Sequence, residues 1–149
     1  MKVLSIKEPH ASLLLTPYKT IETRSWATSY RGEICLHASQ SMPSYAKEKA
    51  MWDRVLKLYD KHVETTGETA RLHRGLIYAK AKLVDCILMT PENIAALPQD
   101  EIDAGYYAPG RYMWVLKNVV PLSEPIPAKG RLGVWNYEEN HQAKGGSKS

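Results

Sequence analysis

The chain has 149 residues, 44% hydrophobic and 24% charged, with a net charge of +4 and a pI of about 9.0. Those values are ordinary for one soluble globular domain able to bury a core, and no apolar run is long enough for a helical membrane span. The positive balance permits a nucleic-acid partner without requiring one.

In chain order, Val3-Leu4-Ser5-Ile6 reads as a short buried strand. Pro9 suits the first turn of a helix carrying Ala11, Leu13, Leu14 and Leu15, which Pro17 ends. Thr20 to Ser25 alternates and reads as a strand with Glu22 and Arg24 on one face and Ile21 on the other. Lys19 stands at the helix–strand junction, where alternation does not give its direction. Tyr30-Arg31-Gly32 is a turn into a strand from Glu33 to Ser39, with Ile34, Leu36 and Ala38 on its apolar face. Residues 43–66 have helical spacing, and Gly67 is its expected stop. A long strand runs from Leu76 to Met89, and Thr90 caps a short helix. Pro98 to Gly110 reads as mixed and loop-rich. Tyr112 to Val119 is a further strand, Pro121, Pro125 and Pro127 enforce extended backbone, and Leu132 to Tyr137 is the last strand. The predicted domain covers residues 1–137, and the polar segment 138–149 is expected to be a disordered tail.

Strands outnumber helices, and no regular strand–helix–strand series supports a parallel doubly wound sheet. The expected fold class is α+β: a small mixed β-barrel with two or three helices outside it. The two cysteines lack metal-ligand spacing, the histidines form no zinc set, and the N-terminus has no signal-peptide pattern. The expectation is therefore a cytoplasmic protein with no metal and no cofactor, whose oligomeric state is not legible.

Charge is unevenly placed. Residues 1–43 carry five Lys/Arg against three acids, and residues 106–137 carry four against Glu124 alone. Residues 75–105 carry two against five. The densest functional signal is Lys19-Thr20-Ile21-Glu22-Thr23-Arg24, three ionisable side chains of both signs within six residues. Their spacing suits neither a helical stripe nor a solvated charge run. Facing a cleft, they can grip an anionic or hydrogen-bonding ligand; facing elsewhere, they are a strand-fixing ion-pair network worth little energetically.

The motifs resemble the ASCH domain family. The resemblance rests on Val3 to Ala11, on Lys19-Thr20-Ile21-Glu22-Thr23-Arg24-Ser25-Trp26, on Tyr30-Arg31-Gly32, and on His37-Ala38-Ser39. Trp114 to Asn118, Pro125 to Gly130 and Gly133-Val134-Trp135 resemble the family's closing strands. The family signature is Gly-x-Lys-x-x-Glu-x-Arg; Lys19, Glu22 and Arg24 match it, while Pro17 stands where Gly is usual. The resemblance implies a PUA-like barrel whose cleft binds RNA or a nucleotide-like ligand.

The expected ligand set is Lys19, Glu22, Arg24, Trp26, Tyr30, Arg31, Ser39, Lys129 and Arg131, with Arg111 extending the positive surface. Arg offers bidentate phosphate contacts, Lys a point charge, and Glu22 either holds those cations or accepts from an exocyclic amino group. Trp26 and Tyr30 are the expected base-stacking residues, whereas Trp114 and Trp135 belong to core strands. Alanine at Lys19 or Arg24 is expected to weaken binding more than it lowers stability.

The alternative is a small hydrolase acting on a modified nucleoside, like the family's acylcytidine amidohydrolases, or a ribonuclease, with Lys19 and Glu22 as catalytic candidates. The resemblance associates that amidohydrolase activity with Lys, a Thr three residues on, and a distant Glu. Position 22 is Glu rather than Thr, which counts against it. His37 is a hydrogen-bonded structural residue in preference to a triad member. A protein-interaction module using Met51, Trp52 and Leu56 is the third class.

Overall fold

A computed structural model describes residues 1–138. Ten elements follow in order: β1 (Lys2–Ile6), α1 (His10–Leu13), β2 (Ile21–Arg24), β3 (Gly32–Ala38), α2 (Lys49–Thr66), β4 (Leu76–Leu88), α3 (Pro91–Ala95), α4 (Gln99–Asp103), β5 (Tyr112–Pro127) and β6 (Val134–Asn136). The six strands form one sheet in the order β2-β5-β4-β3-β1-β6. Only β1 with β3 is parallel; the other pairings are antiparallel.

The sheet curls into a half-barrel, the α+β, PUA-like mixed barrel that the sequence implies. Its curvature has a local cause. The long β4–β5 ladder shifts register between Ile77 and Ala79, Lys80 and Lys82, and Leu83 and Asp85. Each irregularity increases local twist and bend. Asn118 takes a left-handed φ of 55° within β5, and the proline at 121 supplies no ladder N–H. β5 therefore bends without ending, and it continues eight residues beyond the expected end at Val119.

The concave side holds the main core: Leu4, Ile6, Leu14, Leu36, Tyr78, Leu83, Trp114 and Leu116, with Ile34 and small alanines between them. The far end of β5 folds over the other face, where Leu122, Ile126 and Ala128 cover Val3, Cys35, Ile77 and Trp135. That cover explains why β3 is buried on both faces although its sequence alternates. Trp114 and Trp135 are both core residues, as their strand positions imply.

Among the described residues four helices flank the sheet instead of two or three, and three of them are single turns. α2 begins at Lys49, six residues later than expected, and Trp52 Nε1 donates to Pro43 O (3.0 Å) across the preceding irregular segment. Gly67 stops it in a left-handed conformation at φ 75°, which glycine adopts without Cβ strain. Val55, Leu58 and Tyr59 bury its inner face against Leu13 and Ala104. Thr90 caps α3 through a reciprocal pair with Asn93. α4 lies in the stretch expected to be loop-rich. No helix among the described residues is long and apolar enough to cross a membrane. The expected tail lies outside the described residues except for Glu138.

Candidate functional site

A cleft of about 450 Å³ opens between the end of β1 and the start of α1, the end of β2, and the loops before β5 and β6. Its lining includes Lys7, Arg24, Arg111 and Arg131 against Glu22 alone, four cations to one carboxylate. Lys7 and Arg24 come from the basic N-terminal third, Arg111 and Arg131 from the basic C-terminal third. Folding brings these two distant stretches to one surface. Trp26, Tyr106 and Leu132 add exposed apolar bulk, and Ser5, His10, Thr23, Ser25 and Ser39 complete the polar lining.

The positions of the charged trio follow from β2. Strand alternation sends Glu22 and Arg24 to the same side, and Arg24 Nε lies 3.0 Å from Glu22 Oε2. The same guanidinium donates through Nη2 to Ser5 O at 2.5 Å, which ties β2 to β1 across the cleft floor. Nη1 has no protein partner among the described residues, so one edge of the fork remains available. Arg111 is also fixed in place: its Nε donates to Tyr106 O (3.0 Å), and its guanidinium lies 4.2 Å from the Tyr106 ring centroid. Trp26 packs edge-on against Trp114, 4.8 Å between centroids, and keeps 39% of its surface exposed in the cleft.

Lys19 sits behind this wall and does not line the cleft. It is 1% exposed, donates to Ile21 O (2.8 Å) and Ala104 O (2.7 Å), and lies 3.7 Å from Glu22 Oε1. Burial pushes its pKa below the ordinary lysine value, and the Glu22 and Glu101 carboxylates oppose that shift. Glu101, in α4, accepts from Thr20 N (2.9 Å), Thr20 Oγ1 (2.8 Å) and Ile21 N (3.2 Å). This one-turn helix therefore positions the start of β2 from 80 residues away. Sequence reasoning missed it because five residues give too little periodicity to separate a helix from a loop.

The other expected ligand residues divide between cleft and periphery. Ser39 and Arg131 line the cleft, while Lys129 is exposed on the same loop outside its lining. Tyr30 and Arg31 also lie outside it. Tyr30 donates to Glu33 O (2.5 Å), Arg31 donates to Thr28 O and Tyr30 O (2.9 Å each), and both therefore shape the turn into β3. Lys7, His10 and Tyr106 line the cleft but were outside the expected set. The sequence signals for Lys7 were the excess of basic residues near each end and its place within the family-like stretch Val3 to Ala11.

His37 is held in a closed network. Trp135 Nε1 donates to Ser5 Oγ (3.0 Å), which pairs with His37 Nδ1 (3.0 Å), and His37 Nε2 donates to Ala128 O (2.8 Å). This arrangement assigns the Nε2–H tautomer, with Ser5 donating to Nδ1. Burial lowers the His37 pKa, which keeps the ring neutral. Gly130 lies directly over this network. A Cβ there would come within 2.7 Å of His37 Cε1 and 2.9 Å of Ser5 Oγ. Gly130→Ala is expected to displace the loop that carries Arg131 and to cost about 1–3 kcal/mol, read as a lowered unfolding temperature. An unchanged transition would show that the loop yields freely.

Residues 4–126 match the ASCH domain family. The chain is 26% identical over 140 residues to Activating signal cointegrator 1 from Homo sapiens, and equally to the Mus musculus protein of that name. The alignment covers 93% of this chain but 23% of each relative, so the chain spans about a quarter of their length. With its motifs, its curled sheet and this match in agreement, the chain belongs to the ASCH domain family.

Proposed function

We propose that the chain binds single-stranded RNA in the cleft beside β2. The observation carrying this reading is the pairing of four cationic side chains with exposed aromatic surface in one groove of about 450 Å³. Single-stranded nucleic acid offers complementary chemistry: phosphates for Lys7, Arg24, Arg111 and Arg131, and base faces for Trp26 and Tyr106. Lys129 extends the positive path beyond the groove. Lys19 acts indirectly by holding Glu22 and the start of β2. Its inward ammonium, committed to two carbonyls, is not presented to a cleft ligand, so the geometry favours binding over lysine-dependent hydrolysis.

Fluorescence anisotropy with a labelled single-stranded RNA across a salt series tests the reading. Four phosphate contacts predict a slope of log K against log salt of about −3, a loss of about 50-fold between 50 and 200 mM. Arg131→Ala should make that slope shallower by about 0.7. Trp26→Ala should weaken binding about tenfold while leaving the slope unchanged, as loss of one stacked base requires. No binding at 50 mM salt, or salt-independent binding, refutes the proposal.

A further inference from the structure

Three glutamates are buried among the described residues: Glu8, Glu22 and Glu101. Two have their acceptor capacity filled by the protein. Glu8 accepts from Ser12 N (2.8 Å), Ser12 Oγ (2.5 Å) and His73 N (2.8 Å), and Glu101 accepts from the Thr20 and Ile21 donors already described. Glu22 differs. The residue is 7% exposed, its contacts with described residues are the ion pairs to Lys19 and Arg24, and it lines the cleft. Lys19 Nζ is 3.7 Å away, beyond hydrogen-bond length. Arg24 Nε approaches Oε2 to 3.0 Å but off the N–H axis, leaving that N–H without an aligned acceptor. The two cations balance its charge without filling its lone pairs.

A carboxylate has about four acceptor sites, and a buried one normally fills them. Glu22 lines the cleft, where a ligand can reach its carboxylate. An anion alone would gain nothing from it and would be repelled. The fitting partner is anionic elsewhere and presents an N–H donor at this point, beside the aromatic wall. A nucleobase with an exocyclic amino group meets both requirements, and carboxylate acceptance from cytosine N4–H₂ is a known pairing geometry. Uracil presents a carbonyl oxygen at the equivalent position, and its one ring N–H lies between two carbonyls that the carboxylate repels.

We propose that Glu22 is the specificity-determining residue of the cleft, accepting a hydrogen bond from a base amino group and disfavouring uracil. The inference rests on the RNA-binding reading above and adds base preference to it. Cytosine against uracil is the decisive comparison because the two rings have similar size and stacking area.

The test measures anisotropy of the full chain with labelled hexacytidylate and hexauridylate RNA. Wild type is expected to bind the cytidine strand at least tenfold more tightly. Glu22→Gln should bring the two affinities within about twofold, because its amide can donate to uracil O4 as well as accept from cytosine. Competition by CMP and UMP against wild-type complex gives the same ranking without a variant, which keeps the test decisive if Glu22→Gln unfolds. Equal wild-type affinities, equal competition by the two nucleotides, or a preference that persists in a folded Glu22→Gln variant overturns the proposal while RNA binding stands. Failure to bind either strand removes both.

Discussion

Lys19→Ala is expected to be among the most destabilising single substitutions behind the cleft wall. The ammonium is 1% exposed, and its two carbonyl acceptors, Ile21 O and Ala104 O, are buried with it. Removing it leaves both oxygens without that donor, leaves Glu22 with Arg24 as its remaining cation, and empties the volume of the lysine chain. Breaking a buried pair in this way costs about 3–5 kcal/mol. For a domain of this size, that corresponds to an unfolding temperature lower by about 10 °C. Lys19→Met, which retains most of the volume, separates the charge from the cavity and should recover only part of the loss. A shift below about 2 °C for Lys19→Ala would show that the site relaxes around the missing charge. Arg24→Ala should behave differently, since its side chain is 20% exposed and faces the cleft. Its larger effect should be on binding. The sequence expectation treated these two cations alike; burial separates them.

That separation shows where sequence reasoning reached and where it stopped. The alternation of Thr20 to Arg24 correctly put Glu22 and Arg24 on one side of a strand, because period two is a property of the backbone itself. Gly67 and Thr90 were legible as helix boundaries because capping chemistry is local. The direction of Lys19 was not legible, since it depends on Ala104, 85 residues away. Tyr30 and Arg31 lie next in the chain to a functional motif, but their polar groups bond nearby carbonyls and direct the turn away from the cleft. Proximity in sequence was a poor guide there. Residues 106–111 illustrate the reverse case. Tyr106, in the stretch read as loop with no strong motif, lines the cleft wall beside Arg111, which was expected on the positive surface.

The fold should also lose stability on mild acidification, through His10. The imidazole lines the cleft, where burial lowers its pKa from 6.5 to about 4. The Lys19 charge adds to that shift, Glu22 opposes it, and Arg54 contributes in the same direction as Lys19. The folded protein therefore resists protonation at a pH where the unfolded chain accepts it. Between about pH 6.5 and pH 4 the unfolded state binds more protons, so stability falls as pH falls through that window and is fully present above it. The difference between 6.5 and about 4 gives at most about 3.4 kcal/mol, and solvent in the open cleft reduces that figure. His37 and His73, whose pKa values burial also lowers, add slopes of the same sign. Chemical denaturation of wild type and His10→Gln at pH 7 and pH 5 isolates the contribution. His10→Gln should lose measurably less stability over that interval, while the two proteins converge in pH dependence above pH 7. Identical losses would mean that the cleft admits the imidazolium without penalty, and would place the acid sensitivity on His37 and His73 instead.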